Sequence, residues 1–308
     1  MLKIYQQTLN SKVKFAGIGL HSGKSSEVTI LPGRENQGFI FRRVDLKKNN
    51  IVEAKFKNVS NAKLCTTLEN EHGTKISTVE HLLAALYIAE IDNAIIEINN
   101  QEVPIMDGSA KEFLNIIKKA GVKKQSKARK YLRVLDKVEL VDGERKISIE
   151  PSELSFQVDF QLYYKNKLIN KQKNLVNFHS DNLKNIYESR TFCLFEDIEK
   201  IKKNGLAKGG SLENAIVVDK DKILNNGGLR NVKEFVNHKI LDLAGDFILC
   251  GYRVLGKVKC HQGGHELTNR FLRQLFNSKE AFTTFSLKDV VISKKPTSNQ
   301  QINIAVNA

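Results

Sequence analysis

The chain has 308 residues, of which 41% are hydrophobic and 27% charged, and its formal net charge is +15. This composition is typical of a folded globular protein with two domains or one large one, and it argues against a disordered chain. No apolar run approaches the roughly 20 residues that a membrane-spanning helix needs, and the N-terminus lacks the apolar core of a signal peptide. We therefore expect a cytoplasmic protein.

The cysteine spacing and the positive net charge indicate which kinds of site and partner to expect. None of the four cysteines forms a Cys-x-x-Cys pair, so we expect free thiols in place of a redox motif or a zinc knuckle. A basic balance favours acidic partners such as nucleotides, nucleic acid or an anionic membrane surface. The lysines are scattered, with one cluster between Lys118 and Lys130, so this signal carries little weight.

The first half of the chain predicts strands followed by helices. Alternating apolar and polar residues predict strands at 27–31, 38–41 and 51–54. The glycine-rich segment 17–25 lacks the four-residue glycine spacing of a phosphate loop, so it predicts a tight connection between strands. A helix with Ser77 or Thr78 as its N-cap comes next. The remaining elements of this half are a strand at 93–98 and a second helix at 109–120.

A similar order of elements recurs in the second half. The polar, basic stretch 122–130 has no apolar periodicity and predicts a linker. The elements predicted after it are strands near 132–141, 146–150, 156–162, 215–218 and 253–258, a helix around His238 and a last helix from Glu266. The repeated order indicates a duplicated α+β unit.

The helix around His238 carries the polar residues that best fit a catalytic centre. Residues four apart on a helix share a face, so His238, Asp242 and Asp246 form one row. Lys239 lies about 100° round the axis and is expected to turn away from that row. An imidazole and a carboxylate four apart can hold one metal ion while a third group orients or titrates. For this stretch alone, a half-buried helix with a solvated polar edge is the alternative.

A second candidate segment supplies the groups that the first lacks. Glu80 and His81 are adjacent at the start of a predicted helix. Together with His238 and Asp242, His81 would complete a set of three ligands with an open position, as catalytic zinc needs. Glu80 would take a proton from the activated water, and a second histidine would protonate the leaving group. The chain has no His-Glu-x-x-His, so the common metalloprotease helix is absent.

Several motifs closely resemble the signature regions of the UDP-3-O-acyl-N-acetylglucosamine deacetylase family, the zinc amidohydrolases of lipid A synthesis. The three principal segments are Ser77–Leu82, Val236–Asp246 and Gly264–His265. Further matches are Gly19–Gly23, Pro104–Ser109, Ser189–Phe192 and Gly209–Ser211. The matches follow the family order from about residue 5 to 280, which argues against chance similarity.

The resemblance implies an activity and its partners. It implies hydrolytic removal of the N-acetyl group from UDP-3-O-acyl-N-acetylglucosamine, giving UDP-3-O-acyl-glucosamine and acetate in the committed step of lipid A biosynthesis. It implies one catalytic Zn²⁺, with Fe²⁺ as the alternative ion in the cell. We also expect a monomer, a peripheral contact with the inner-membrane surface and no nucleic-acid partner. The alternatives are a zinc amidohydrolase acting on another acetylated sugar and a basic RNA-binding protein.

The resemblance also implies roles for individual residues. The implied zinc ligands are His81, His238 and Asp242. Glu80 would be the general base, and His265 the general acid, oriented by Asp246. Thr191 would help to hold the oxyanion, and Lys239 would meet the nucleotide diphosphate. The other implied substrate-binding residues are Phe192, Phe160, Asp197, Leu64, Cys65, Leu206, Gly210, Ser211, Ala215 and Val217.

The fold that the resemblance implies is α+β, with two similar domains at 1–126 and 127–300. In each domain a helix layer packs on a β-sheet, and the helices are sandwiched between the two sheets. An insertion of about 40–65 belongs to the first domain. A βαβ insertion of about 193–218 belongs to the second and would form the acyl passage. Cys193 and Leu194 depart from the glycine and aromatic residue usual in the family, with Phe195 as the shifted aromatic.

Overall fold

The structure, a computed structural model that describes residues 2–288, is built from α-helices packed against β-sheets. The described α-helices are α1 (Glu80–Ile88), α2 (Lys111–Ala120), α3 (Lys184–Tyr187), α4 (Phe195–Lys203), α5 (Glu234–Phe247) and α6 (His265–Asn277). Short 3₁₀ helices span Phe56–Asn58, Ile248–Cys250 and Lys279–Ala281. Within residues 2–288, no helix has the length and apolar character needed to cross a bilayer.

Most strands of the first half form one main sheet and one small sheet, and the first strand pairs with the first strand of the second half. The strands are β1 (Tyr5–Leu9), β2 (Val13–Ile18), β3 (Ser25–Pro32), β4 (Phe39–Arg43), β5 (Ile51–Glu53), β6 (Val59–Asn61), β7 (Thr67–Glu69), β8 (Lys75–Ile76) and β9 (Ala94–Ile98). The main sheet has the order β2–β3–β9–β4–β5, with only β4 and β9 parallel. The small sheet has the order β6–β7–β8. Antiparallel pairing of β2 with β3 confirms the tight connection expected in the segment 17–25.

The strands of the second half form a seven-stranded sheet and a small parallel unit. They are β10 (Val122–Ala128), β11 (Lys130–Val134), β12 (Val138–Asp142), β13 (Arg145–Glu150), β14 (Phe156–Tyr163), β15 (Lys171–Asn177), β16 (Phe192–Leu194), β17 (Ile216–Asp219), β18 (Lys222–Ile223), β19 (Arg253–His261) and β20 (Phe282–Ser286). The large sheet follows the order β12–β13–β19–β11–β20, and β14 joins it by pairing with β19 and β15. In the small unit, β16 and β17 run parallel and α4 connects them.

Helices α1, α2, α5 and α6 lie between the two large sheets, which confirms the predicted α+β layering, while α4 packs on β16 and β17. Helix α2 contacts β2 of the five-stranded sheet, while α5 contacts β14 and α6 contacts β13 of the seven-stranded sheet. Helix α1 contacts both α2 and α5, so it joins the two layers. A single hydrophobic cluster runs through both halves of the chain, from Leu9 to Ala281.

The division into domains stays a prediction. Strand β5 and all but the first residue of β4 fall inside the stretch 40–65, and both strands pair in the five-stranded sheet. The strand–helix–strand unit of β16, α4 and β17 occupies the neighbourhood expected for the second insertion. The expected end of the second domain at residue 300 lies outside the described residues.

The linker predicted at 122–130 is wrong. Residues 122–128 form β10, which pairs antiparallel with β1 and places Val122 opposite Leu9. The strand shows no apolar periodicity because none of its residues is buried. The Nζ atom of Lys124 lies 4.2 Å from the centre of the Tyr5 ring on β1. Backbone pairing therefore forms this strand without a buried apolar face.

The predicted N-cap of α1 is also wrong. The helix begins at Glu80, and no side chain caps its first turn. Thr78 instead adopts a left-handed backbone conformation with φ of 57°. Its hydroxyl donates a hydrogen bond to Glu102 Oε1 at 3.0 Å. A tertiary contact therefore fixes the entry into the helix in place of a local cap.

Helices α1 and α5 cross at direct backbone contact. A Cβ atom added at Gly245 would lie 2.1 Å from the carbonyl oxygen of Glu80, which leaves no room for any side chain. Every residue of α5 except Lys239 is buried. The alternative of a half-buried helix with a solvated edge is therefore wrong.

We predict that Gly245→Ala destabilises the protein. Alanine favours a helix by roughly 1 kcal/mol over glycine, but the clash is with backbone, so the helices must separate. We expect a net loss of about 1–3 kcal/mol in the free energy of unfolding, measured by denaturant titration. Gly264→Ala is the control, since a Cβ there meets no atom within 4 Å. A Gly245→Ala variant as stable as the parent would contradict the prediction.

Candidate active site

Three buried side chains from two helices meet where α1 crosses α5. His81 is the second residue of α1, and His238 and Asp242 lie one turn apart on α5. One potential ligand atom from each lies within 4.8 Å of those of the other two. Asp242 Oδ1 is 3.4 Å from His81 Nε2 and 3.3 Å from His238 Nε2. The crossing thus brings together the three residues that the sequence predicts as ligands.

The chemistry of this cluster fits a divalent metal ion. His81 Nδ1 and Asp242 Oδ1 are buried and have no hydrogen-bond partner within residues 2–288. Such atoms are rare in folded proteins and indicate a missing partner. His238 Nδ1 lies 3.1 Å from the carbonyl oxygen of Ser189, a contact that leaves the lone pair on Nε2 when Nδ1 carries the proton. Burial lowers the pKa of His238 to about 3, so the ring is neutral, as a ligand must be.

A carboxylate and an imidazole face each other beside this cluster. His265 Nε2 lies 3.7 Å from Glu80 Oε1 and 3.9 Å from Asp242 Oδ2. The other ring nitrogen of His265, Nδ1, is 2.8 Å from Asp246 Oδ2. All of these side chains are buried. The row of His238, Asp242 and Asp246 predicted on α5 therefore points into one site.

The surroundings of Glu80 and His265 shift the pKa values of both groups upward, with opposite effects on their charge. Burial raises the pKa of Glu80 above its ordinary value, which moves it toward neutrality. Burial alone would lower the pKa of His265, but Asp246 and Glu80 outweigh it and raise this pKa to about 10. The imidazole of His265 therefore holds a proton at neutral pH. The pair can act as a proton acceptor and a proton donor in one reaction.

Lys239 does not turn away from the row, contrary to the sequence-based expectation. Its Nζ atom donates to Asp242 Oδ2 at 2.9 Å, because the flexible side chain spans the distance to the residue three positions on. The same Nζ lies 5.6 Å from the centre of the Phe192 ring. Burial lowers the pKa of Lys239, but Asp242 outweighs it and raises this pKa above its ordinary value. A permanent positive charge therefore stands at the edge of the site.

The parallel unit of β16 and β17 lies against the same site. The ring centre of Phe192 is 4.9 Å from that of Phe235 and 6.4 Å from that of His238. Ala215 and Val217 are buried on the β17 side of this unit. The main-chain N–H of Thr191, just before β16, donates to the carbonyl oxygen of Gly108 at 2.8 Å. The partly exposed Leu206 and the exposed Gly210 and Ser211 lie between α4 and β17.

The other predicted substrate-binding residues occupy more varied surroundings. Asp197 is exposed on α4, and the side chain of Leu64 is 45% exposed. Burial raises the pKa of the partly buried Cys65 thiol to about 12, so the group is protonated. Phe160 is only 2% exposed and belongs to the hydrophobic core, with its ring beside Gly263. The structure therefore does not bring Phe160 to an open surface.

Sequence reasoning missed two residues that reach the site. His21, in the turn between β2 and β3, accepts a hydrogen bond from Ala207 N at 3.4 Å, while its Nε2 is buried without a partner among the described residues. Its place in the matched motif Gly19–Gly23 is the signal that could have found it. Thr66 donates from its main chain to Glu80 and from its hydroxyl to Asp246. Nothing in the local sequence distinguishes this threonine.

Comparison with known proteins gives one family over nearly the whole chain. The family model described as UDP-3-O-acyl N-acetylglycosamine deacetylase matches residues 6–277. The UDP-3-O-acyl-N-acetylglucosamine deacetylase of Geotalea uraniireducens is 42% identical over 284 residues, covering 92% of this chain and 92% of that protein. The enzyme of the same name from Pseudoalteromonas translucida is 38% identical over 296 residues, covering 95% and 97%. That from Saccharophagus degradans is 42% identical over 289 residues, covering 93% and 95%.

Proposed function

Because the chain belongs to the UDP-3-O-acyl-N-acetylglucosamine deacetylase family, we propose that its buried His–His–Asp cluster is the centre of that reaction. The chain removes the N-acetyl group from UDP-3-O-acyl-N-acetylglucosamine in lipid A biosynthesis, which leaves UDP-3-O-acyl-glucosamine and acetate. The observation that carries the assignment of the centre is the meeting of His81, His238 and Asp242 beside the facing pair of Glu80 and His265. An RNA-binding protein has no need for such a buried set.

His81, His238 and Asp242 would hold the metal ion, which we propose to be Zn²⁺, with Fe²⁺ as the alternative in the cell. Two imidazoles and one carboxylate form a donor set that suits zinc and leaves a position open for substrate. A divalent ion in such a site supplies Lewis-acid polarisation of the amide and lowers the pKa of a water molecule to about 7. The carbonyl of Ser189 supports the set by orienting the His238 ring.

The proton transfers fall to Glu80 and His265. Glu80, whose pKa burial raises, accepts the proton of the attacking water. His265 keeps a proton at neutral pH and donates it from Nε2 to the amine nitrogen as the amide C–N bond breaks. Asp246 holds the opposite ring nitrogen and so orients the donor. Thr191, beside the site, would help to hold the carbonyl oxygen as it gains negative charge.

The substrate's nucleotide half would bind at the edge of the site. The ammonium of Lys239 stands next to Phe192 and can meet the diphosphate as a point charge. Phe192 offers an aromatic face close to the His238 ring. On the family resemblance we propose further substrate contacts from Asp197, Leu64, Cys65 and Ser211, and we leave out Phe160 because its ring is buried in the core.

The acyl chain would bind along the unit of β16, α4 and β17. None of the nine residues of α4 is buried, although Ile198 and Ile201 lie on one helix face. An apolar face that the core leaves uncovered suits a hydrocarbon chain, since each buried CH₂ stabilises binding by about 0.8 kcal/mol. The residues proposed to line the passage are Phe192, Leu206, Gly210, Ala215 and Val217.

Location and assembly stay predictions. We propose a cytoplasmic monomer that touches the inner-membrane surface peripherally. The net charge of +15 supports such a contact, because anionic lipid headgroups attract basic proteins.

We predict that His238→Ala abolishes stoichiometric metal binding and activity. Removing one of three ligands leaves two, which cannot hold a catalytic ion firmly. Elemental analysis of the purified variant, paired with a deacetylation assay, provides the measurement. His72→Ala is the control, because His72 is half exposed and lies outside the cluster. One equivalent of metal and full activity in His238→Ala would rule out the proposed ligand set.

We predict that Glu80→Ala and His265→Ala each lower kcat by roughly 10²–10⁴ with little change in KM, as expected for positioned proton transfer. The parent pH profile should be bell-shaped. Activity falls as pH drops through the raised pKa of Glu80, which must be deprotonated. It falls again as pH rises through the pKa of His265, about 10, because that ring must be protonated. Near-parent kcat in both variants would show that other groups move the protons.

We predict that Gly210→Leu and Ala215→Phe block the acyl chain while metal and UDP binding persist. A Cβ atom at position 210 would lie 3.3 Å from the carbonyl oxygen of Ala207 and 3.7 Å from Leu20 Cδ1, so a larger side chain there narrows this region. The measurement is kcat/KM across substrates of increasing acyl length, with the unacylated sugar nucleotide as the internal control. If both variants lose activity equally on unacylated and long-chain substrates, the passage lies elsewhere.

A further inference from the structure

One buried threonine that has no role so far contacts Glu80 and Asp246, the carboxylates proposed to accept a proton and to orient His265. Thr66 lies directly before β7 and is 2% exposed. Its Oγ1 donates a hydrogen bond to Asp246 Oδ1 at 2.6 Å. Its main-chain N–H donates to Glu80 Oε2 at 3.0 Å. A single residue therefore holds two of the carboxylates that face His265, those of Glu80 and Asp246.

The contacts form a closed ring of four residues. Each carboxylate gives one oxygen to Thr66 and turns the other toward His265. For Asp246 the second oxygen is 2.8 Å from His265 Nδ1, and for Glu80 it is 3.7 Å from His265 Nε2. Rotation of either carboxylate would break its bond to Thr66. Thr66 therefore holds each carboxylate in the orientation in which it faces the imidazole.

The ring also joins separate parts of the fold. Glu80 belongs to α1, Asp246 to α5 and His265 to α6, while Thr66 stands at the edge of the small sheet of β6, β7 and β8. The carbonyl of Thr66 also accepts a hydrogen bond from Val79 N at 3.4 Å, just before α1. The small sheet thus helps to position Glu80 on α1 relative to His265 on α6.

We propose that Thr66 is a positioning residue for deacetylation, acting through Asp246 and Glu80 on the proton transfers. The proposal rests on the proposed roles of Glu80 and His265. Without the hydroxyl, Asp246 Oδ1 loses its partner, and the carboxylate that orients His265 is free to turn. Within residues 2–288, the hydrogen bonds of Thr66 join it to Asp246, Glu80 and Val79, and none joins it to a residue proposed for metal ligation, the diphosphate or the acyl chain. Its loss should therefore lower kcat and leave KM and metal content unchanged.

The experiment compares two substitutions in the full-length, metal-loaded enzyme. Thr66→Val keeps the shape and the main-chain N–H but removes the hydroxyl, while Thr66→Ser keeps the hydroxyl. We expect Thr66→Val to lower kcat by about 10–100-fold, the usual effect of losing an outer hydrogen-bond partner. KM should stay within about 3-fold of the parent, and Thr66→Ser should restore kcat to within about 3-fold. Metal per chain and melting temperature should match the parent in both.

The neighbouring residue provides the matched control. Thr67 is also buried, at 8% exposure, but the contact of its hydroxyl is with Cys65 Sγ at 3.9 Å. Thr67→Val should therefore keep the kcat of the parent. Parent-like kcat in Thr66→Val would overturn the proposal, and so would an equal loss in the valine and serine variants.

A double-mutant cycle with Asp246→Asn tests whether the Thr66 hydroxyl acts through Asp246. If Thr66→Val folds poorly, Thr66→Ala replaces it in this cycle. If the hydroxyl acts through Asp246, removing it on the Asp246→Asn background should cost much less than on the parent background. Fully additive losses would overturn the proposal. Failure of the proposed function would be distinct, because Glu80→Ala and His265→Ala would then keep parent kcat whatever Thr66 does.

Discussion

The site depends on the close crossing of two buried helices. At Gly245 the backbone of α5 reaches the carbonyl of Glu80 on α1, and any side chain there would hold the helices apart. Because of this contact, the first turn of α1 lies directly against the polar row of α5. Glu80 and His81 then share one pocket with His238 and Asp242, although about 160 residues separate the two segments.

Polar contacts with residues outside the helix hold both ends of α1. At its C-terminal end, the buried Arg253 of β19 donates to the carbonyl oxygens of Tyr87 and Ile91 at 2.8 and 2.7 Å. A positive charge at the C-terminal end of a helix also interacts favourably with the helix dipole. Asp92 pairs with both Arg253 and the buried Arg129, so the charges in this region are compensated. At the N-terminal end, Thr66 holds the carboxylate of Glu80. The position of Glu80, the proposed base, is therefore determined from both ends of the helix.

The walls of the site are also assembled from distant segments. The turn between β2 and β3 packs on the segment that follows α4, and Gly209 N donates to the Leu20 carbonyl at 3.0 Å. A Cβ atom at Gly209 would lie 2.3 Å from the carbonyl oxygen of Gly19, so this approach requires glycine. The contact brings His21 to the site from the first sheet. Residues of both halves therefore enclose the region proposed for the sugar and the acyl chain.

The sequence by itself determined the residues that bear the chemistry and the helix that presents three of them. Helical spacing places His238, Asp242 and Asp246 on one face, a property of a single element that needs no knowledge of its neighbours. The family motifs then identified Glu80, His81 and His265 as members of the same centre. The layering of helices between sheets also followed from the order of elements and from the resemblance.

Only the tertiary structure decided how those residues are held. Strand β10 was mistaken for a linker because pairing with β1, and not side-chain burial, stabilises it. The prediction that Thr78 caps α1 failed because its hydroxyl donates a hydrogen bond to Glu102, which comes 24 residues later in the chain. Lys239 was expected to turn away because the helix angle gives the direction of its Cα–Cβ bond. That angle does not give the position of the ammonium, which the flexible side chain carries to Asp242. Thr66 carried no signal, since its bonds to Glu80 and Asp246 exist only once two helices and the small sheet have packed together.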